Sequence, residues 1–182
     1  MRARDIPNLL CGLRIVLTVP VAWAILDGRY PLALVLFFIA GLTDGLDGFL
    51  AKRFSWQSRL GGLLDPAADK LLLATAFVTL WMAGYVPAWL LAAVVIRDLV
   101  IVIGAGLYQW RVGSFVAEPS LVSKLNSFLQ LLYVLLTLAW LVFGLPQPGV
   151  ITVLGWVMFV TTVVSGVDYW VRWSGRARAA RA

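Results

Sequence analysis

Residues 31–50 read PLALVLFFIAGLTDGLDGFL, an apolar stretch that carries no charge until Asp44 and Asp47 near its end. An apolar helix of about 20 residues is long enough to cross the hydrocarbon core of a bilayer. The whole chain shares this bias, since 62% of its 182 residues are hydrophobic and 13% are charged, against about 45–50% and 25% in soluble domains. A soluble fold of this size could not cover so much apolar surface, so the sequence predicts an all-α integral membrane protein.

Six apolar segments of this kind are separated by turn signals. Their predicted ranges are 9–26, 31–50, 64–83, 86–108, 121–144 and 150–170. They predict one membrane domain of six transmembrane helices over residues 1–171, followed by a basic cytoplasmic tail at residues 172–182.

The distribution of basic residues predicts the orientation of these spans. With the amino terminus in the cytoplasm, ten Lys and Arg residues of the loops and tails fall on the cytoplasmic side and Arg29 falls on the other. This agrees with the positive-inside rule, so we expect a multi-pass membrane protein with both termini cytoplasmic. The membrane that we expect, a bacterial inner (plasma) membrane, does not follow from this charge distribution. A basic start at Arg2 and Arg4 would also fit a cleaved signal peptide, but Arg14 interrupts the apolar stretch and five more segments follow.

Composition excludes several kinds of chemistry. The sequence has no histidine and one cysteine, Cys11, which excludes Ser-His triads, His-ligated zinc and an intramolecular disulfide. Any catalysis therefore has to use carboxylates, Lys, Arg or a bound metal. In so apolar a chain, the net charge of +6 is expected to serve topology and anionic lipid headgroups, not nucleic acid.

The most informative residues are nine ionisable side chains inside the apolar segments. Each would cost about 2.5–3.5 kcal/mol at the centre of a lipid-facing helix. They are Arg14, Asp44, Asp47, Asp65, Asp69, Lys70, Arg97, Asp98 and Lys124. Their combined cost predicts that they pair with one another, lie near an interface, or face a shared polar cavity, which we expect to open to the cytoplasmic side.

Four of these acids form two helical pairs on either side of a short basic loop. Asp44 and Asp47 are spaced i,i+3, and Asp65 and Asp69 are spaced i,i+4, so each pair shares one helix face. Four converging carboxylates suit two divalent ions with oxygen ligands, such as Mg²⁺ or Mn²⁺, an arrangement that clamps phosphates during displacement. The alternative is that the acids form ion pairs with basic residues. Candidates for such pairs are Lys52, Arg53, Lys70 and Arg97.

The stretch from Asp44 to Asp69 resembles the signature of the CDP-alcohol phosphotransferase family, D-x2-D-G-x2-A-R-x8-G-x3-D-x3-D. Seven of its eight fixed positions match, and Lys52 stands where Arg is usual. Residues 7–14, PNLLCGLR, are similar to the family's N-x-x-T-x-x-R element, with Cys11 in place of Thr. The resemblance implies a homodimer of six-helix subunits that transfers a phosphatidyl group from CDP-diacylglycerol to an alcohol and releases CMP, without a covalent enzyme intermediate.

The resemblance also implies roles for individual residues. Two divalent ions, Mg²⁺ or Mn²⁺, would be held by Asp44, Asp47, Asp65 and Asp69, and Asp69 would be the general base. The cytidine nucleotide would be surrounded by Asn8, Asp47, Gly48, Ala51, Lys52 and Gly61.

The acceptor alcohol is less strongly indicated. Arg97, Arg111 and Lys124, on the fourth and fifth segments and the loop between them, suit a phosphate-bearing acceptor. Residues 96–101, IRDLVI, and 123–127, SKLNS, resemble the family's cardiolipin synthases, whose acceptor is phosphatidylglycerol. Enzymes that use glycerol-3-phosphate tend to carry a second lysine where this chain has Asn126, yet that acceptor stays an alternative, as do inositol, serine and choline. A second alternative is that Arg97 simply pairs with Asp98 or with an active-site carboxylate.

Two non-enzymatic functions also have to be weighed. An intramembrane carboxylate cluster could conduct cations in a channel or carrier, although carriers usually place their sites near the bilayer midplane on broken helices. A structural scaffold would offer no reason to bury nine ionisable groups. Divalent-dependent release of CMP would separate the enzyme from both.

Overall fold

The computed structural model describes the backbone of residues 6–54, 61–112 and 121–179, and within these the side chains of residues 9–43, 68–104 and 121–169. All the regular structure in these ranges is α-helical. The six helices are α1 (Ile6–Leu26), α2 (Tyr30–Phe54), α3 (Gly61–Met82), α4 (Ala88–Val112), α5 (Leu121–Phe143) and α6 (Pro148–Ala179). The all-α prediction is confirmed, and each apolar segment predicted from the sequence corresponds to one helix.

The helix ends differ from the ends of the apolar segments. α6 continues to Ala179, so the first part of the predicted basic tail is a continuation of that helix. α2 extends to Phe54 and α3 begins at Gly61, beyond the apolar segments that end at residue 50 and begin at residue 64. The reason is that hydropathy identifies only the end of an apolar run, whereas a helix can continue through polar residues that have a high helix propensity. Arg and Ala, which are frequent in these extensions, are among the best helix formers.

Two glycines end α1 and α3 at the predicted turns. Gly28 has φ +72° and Gly84 has φ +86°, in the left-handed region that a side chain disfavours. After α1, Gly28 donates its N–H to Ile25 O (3.2 Å) and Arg29 donates to Ala24 O (2.8 Å). This pair of hydrogen bonds is a Schellman cap, which satisfies carbonyls that the helix end would otherwise leave unpaired.

Among the described residues, three helices contain windows that are long and apolar enough, by length and composition, to cross a membrane. These windows are Leu9–Leu26, Leu121–Phe143 and Pro148–Tyr169. Each contains one ionisable residue, whereas α2, α3 and α4 each carry at least three. α2, α3 and α4 also carry most of the predicted site, whereas the basic residues of α6 beyond its window, Arg172, Arg176 and Arg178, belong to the predicted basic tail.

The chain divides into two compact units. The first extends to Val86 and includes Val134–Pro148. In this unit α1 packs against both α2 and α3, with a core that includes Val21, Phe37 and Phe77, each at most 1% exposed. The edge-to-face ring pairs Tyr30–Tyr85 and Tyr85–Trp140, with centroids 5.6 and 6.2 Å apart, add aromatic packing to this unit.

The second unit comprises Pro87–Tyr133 and the chain from Gly149 onward. Trp89 of α4 stacks on Trp156 of α6 with ring centroids 4.7 Å apart. At Gly155 the backbone of α6 lies so close to its neighbours that an added Cβ would be 3.2 Å from Tyr133 Cε2 and 3.6 Å from Leu90 Cδ2. The absence of a side chain at Gly155 thus permits the packing of α6 in this unit.

Candidate active site

The four aspartates lie on α2 and α3, as the sequence predicts. Asp44 and Asp47 are helical residues of α2, and Asp65 and Asp69 are helical residues of α3. The helical backbone confirms that each pair is separated by about one turn. The side chains of the first three aspartates lie outside the described ranges, so the convergence of four carboxylates stays a prediction.

Asp69 is the member of this group whose surroundings are described. Its Oδ1 accepts a hydrogen bond from Nη1 of Arg14, which lies 55 residues earlier in the chain, on α1. The Arg14 side chain is completely buried, while the Asp69 side chain is 39% exposed. The pair therefore joins a cation inside the helix packing to a carboxylate that is still accessible at the edge of that packing.

This geometry orients the Asp69 carboxylate. A guanidinium held inside the packing is a strong, directional donor, because charge-assisted hydrogen bonds are shorter and stronger than neutral ones. The backbone carbonyl of Arg14 accepts a hydrogen bond from Thr18 Oγ1 at 3.0 Å, one turn further along α1. The 39% exposure of the Asp69 side chain leaves this oriented carboxylate within reach of a ligand.

Arg14 was not among the candidate site residues derived from the sequence. Two signals could have identified it. It is a charge inside an apolar segment, which has to find a partner, and it occupies the Arg position of the N-x-x-T-x-x-R element. Neither signal specifies which aspartate is the partner.

The other residues assigned by resemblance lie where no side chain is described. They are Asn8, Asp47, Gly48, Ala51, Lys52 and Gly61 for the nucleotide, Asp44 and Asp65 for the metals, and Arg111 for the acceptor. Their assignments stay predictions.

Arg97 is buried in the second unit and is surrounded by partners. Its Nη1 donates to Asp98 Oδ1 at 2.7 Å, and its Nη2 donates to Ser123 Oγ at 2.6 Å and to Ser165 Oγ at 2.9 Å. Only 5% of Arg97 is exposed. The alternative interpretation, in which Arg97 pairs with Asp98, describes what the structure shows. Lys124, by contrast, is exposed on α5.

The aspartates have a donor chemistry that suits the proposed metals. Mg²⁺ and Mn²⁺ prefer carboxylate oxygens, and four aspartates offer enough negative charge for two such ions. No group of three or more His, Cys, Asp or Glu side chains occurs among the described residues, of which Asp69 alone belongs to the predicted set. Its partly exposed carboxylate is compatible with metal coordination.

The fold and the described part of the site define an all-helical protein with ionisable side chains set in largely apolar helices. Residues 4–167 match the model of the CDP-alcohol phosphatidyltransferase family. This chain belongs to that family. The resemblance found in the aspartate motif is thereby confirmed over most of the chain, and membership favours an enzyme over a channel, carrier or scaffold.

Relatives fall into two groups. Cardiolipin synthase (CMP-forming) of Rattus norvegicus is 32% identical over 181 residues, covering 91% of this chain and 60% of that protein. CDP-diacylglycerol–glycerol-3-phosphate 3-phosphatidyltransferase of Bacillus subtilis is 32% identical over 163 residues, covering 85% of this chain and 83% of that protein. The protein of the same name from Aquifex aeolicus is 31% identical, and the match covers 93% of its length. The chain thus spans about 60% of the length of the cardiolipin synthase it matches.

Proposed function

We propose that this chain is a membrane phosphatidyltransferase that moves a phosphatidyl group from CDP-diacylglycerol to a glycerol-type acceptor and releases CMP. The observation that carries the proposal is the Arg14–Asp69 pair, in which a partly exposed carboxylate of the family motif is held by a buried cation. The favoured acceptor is phosphatidylglycerol, which makes the product cardiolipin.

The proposed reaction is a single displacement. The acceptor hydroxyl attacks the phosphorus of the phosphatidyl group, the bond between that phosphorus and the CMP oxygen breaks, and the hydroxyl proton passes to Asp69. Asp44, Asp47, Asp65 and Asp69 would hold two divalent ions, Mg²⁺ or Mn²⁺, which when bound supply charge neutralisation to the pyrophosphate. Asn8, Asp47, Gly48, Ala51, Lys52 and Gly61 would contact the nucleotide.

The proposed setting is a bilayer crossed by all six helices, with both termini in the cytoplasm and the polar cavity open to that side. Support comes from the apolar windows in α1, α5 and α6 and from the excess of Lys and Arg on the predicted cytoplasmic side. The proposal includes a homodimer in a bacterial inner membrane, as the resemblance implies.

The acceptor assignment rests on charge. Arg97 is buried and neutralised by Asp98, whereas Lys124 is exposed. Among the acceptor candidates whose side chains are described, Lys124 is therefore the exposed cation, and one cation suits a phosphodiester, which carries one negative charge, better than a phosphomonoester, which carries about −1.5 to −2 at neutral pH. Asn126, in place of a second lysine, is consistent with this preference.

Glycerol-3-phosphate is the second candidate acceptor. The observation in its favour is that the Bacillus subtilis and Aquifex aeolicus glycerol-3-phosphate enzymes, at 32% and 31% identity, are about as similar to this chain as the rat cardiolipin synthase at 32%. The product would then be phosphatidylglycerol phosphate, formed at the same site.

The test of the proposed function is CMP release by protein purified in mild detergent with CDP-diacylglycerol and Mg²⁺ or Mn²⁺. We expect cardiolipin and CMP when phosphatidylglycerol is offered, and loss of both when the metal is chelated. Phosphatidylglycerol phosphate from glycerol-3-phosphate alone would establish the second candidate. Absence of CMP with both acceptors would contradict the transferase proposal.

Replacing Lys124 with Ala is expected to weaken use of the acceptor. Loss of one charge-assisted contact to a phosphate costs about 1.5–3 kcal/mol, so KM for the acceptor should rise about tenfold or more, while KM for CDP-diacylglycerol stays nearly unchanged. Arg29→Ala removes another exposed cation, from the turn between α1 and α2, and should leave both constants unchanged. An equal rise in both constants for Lys124→Ala would remove it from the acceptor site.

A further inference from the structure

One face of α5 carries a row of buried polar side chains to which the proposed mechanism assigns no contact with a substrate. Ser123, Asn126 and Gln130 are spaced three and four residues apart, so they lie on one face of the helix. Asn126 is completely buried and Gln130 is 2% exposed. Polar groups so deep in a helical membrane domain require hydrogen-bond partners.

Part of that requirement is met by α6. Asn126 Oδ1 accepts a hydrogen bond from Thr162 Oγ1 at 2.8 Å, and Thr161 Oγ1 lies 3.0 Å from the same atom. The hydrogen bond that the Thr162 hydroxyl donates to Oδ1 orients the Asn126 amide, because among the described residues Oδ1 is the acceptor of that hydroxyl. The Nδ2 end of the amide consequently points away from the two threonines.

Two amide groups are left without acceptors in the described part of the chain. Neither Asn126 Nδ2 nor Gln130 Nε2 has a hydrogen-bond partner there, although both atoms are buried. Because the residues are four apart on one helix, the two donors belong to neighbouring turns. Thr161 is only half-buried, so the cluster reaches the surface of its unit.

The positions of these donors along α5 indicate what they could bind. α5 begins at Leu121, and Lys124 lies in its first turn. Asn126 and Gln130 lie about 8 and 14 Å from Leu121 along the helix axis. A helix that enters from the cytoplasmic side would thus present a cation first and neutral donors deeper. A glycerolipid presents its polar groups in the same order, with the phosphate outermost and the ester carbonyls next to the acyl chains.

We propose that Asn126 and Gln130 bind an ester carbonyl oxygen of a glycerolipid substrate. A carbonyl is an uncharged acceptor, which suits two neutral N–H donors, whereas a phosphate this deep would need a cation. The inference rests on the proposed function, since both phosphatidylglycerol and CDP-diacylglycerol carry such esters. The acceptor and the donor lipid are the two possible sources of the carbonyl.

The test compares ester-linked lipids with ether-linked analogues, which lack the carbonyl oxygens but keep the headgroup. Wild-type protein, Gln130→Met and the control Ser127→Ala, on the exposed side of the same helix, are examined in detergent. Retention of each lipid is measured by native mass spectrometry, and CMP release is measured with one substrate at a time changed to its ether form. Met has nearly the volume of Gln, and thermal unfolding reports whether the variant is folded.

We expect the wild-type protein and Ser127→Ala to favour the ester form of one substrate by about three- to tenfold, as one or two neutral hydrogen bonds would give. Gln130→Met should lose that preference while its unfolding temperature stays the same or rises. The substrate that shows the effect identifies the source of the carbonyl. Equal retention of ester and ether lipids by the wild-type protein, or an unchanged preference in Gln130→Met, would overturn the inference. Because retention does not require turnover, an inactive protein that kept the preference would contradict the proposed function alone.

Discussion

Asp69→Asn is expected to reduce turnover by about 10²–10⁴-fold, the usual contribution of a general base. An amide cannot accept the proton of the acceptor hydroxyl, yet it has the shape of the carboxylate. Its Oδ1 can still accept a hydrogen bond from Arg14 Nη1, which bonds to Asp69 in the native structure. The fold should therefore survive, with a loss of stability because the buried Arg14 keeps a hydrogen bond but loses its counter-charge, while the chemical step is lost. The measurement is the initial rate of CMP release at saturating lipid and metal.

The control for this variant is Asp27→Asn, in the turn between α1 and α2. Asp27 is exposed and accepts a hydrogen bond from Arg29 Nε at 2.6 Å, so the same chemical change occurs at a surface ion pair that contributes little. Its rate should stay within about twofold of the wild-type rate. The Asp69→Asn loss should also persist as the concentration of Mg²⁺ or Mn²⁺ is raised, because weakened metal binding alone would be overcome. Wild-type turnover by Asp69→Asn would disprove its assignment as the base.

Arg14→Met is expected to lower both turnover and stability. Methionine fills much of the same volume but leaves the Asp69 carboxylate without the guanidinium that orients it. Removing one member of a fully buried ion pair costs about 3–5 kcal/mol. Because the Asp69 side chain is 39% exposed, water screens its charge, and we expect about 1–3 kcal/mol. kcat should fall more than KM changes, since Lys124, the cation proposed to bind the acceptor, is not altered.

Two further variants separate a positioning role of Arg14 from a purely structural one. Arg14→Lys restores the charge and should recover part of kcat. In Arg14→Met combined with Asp69→Asn, no carboxylate remains without its partner, so stability should approach that of the wild type while activity stays absent. Kinetics and thermal unfolding would be measured together for the wild type, Arg14→Met, Arg14→Lys and the double variant. Full stability and full kcat in Arg14→Met would show that Arg14 does not orient Asp69.

Much of the architecture follows from local rules that the sequence states directly. Apolar segments long enough for a bilayer predict six helices, since a backbone without water has to satisfy its hydrogen bonds internally. Gly28 and Gly84 predict the ends of α1 and α3, because few other residues adopt the positive φ of a Schellman cap. The spacing of the aspartates places them in helical pairs on α2 and α3. These features depend on residues that are near one another in the chain.

Partners that are distant in the chain follow a different rule. Arg14 and Asp69 are 55 residues apart, and Arg97 reaches Ser123 and Ser165 at separations of 26 and 68 residues. Hydropathy and helical spacing show that each of these charges needs a partner. They do not show which of several equally suitable groups will be the partner, because that depends on which helices pack together and at what rotation. The packing of α1 against α3 is what joins Arg14 to Asp69.

The acceptor-side residues illustrate the same division. From composition alone, Arg97 and Lys124 are equivalent cations on neighbouring segments. In the folded unit, Arg97 is buried and bonded to Asp98, and Lys124 is exposed. The sequence alone therefore determined the helices, their turns, the family motif and the need to pair intramembrane charges. Tertiary packing decided that Arg97 is buried while Lys124 is exposed, that Arg14 orients Asp69, and that the amides of Asn126 and Gln130 keep unpaired N–H donors among the described residues. Burial and pairing depend on surfaces that meet only when the helices pack.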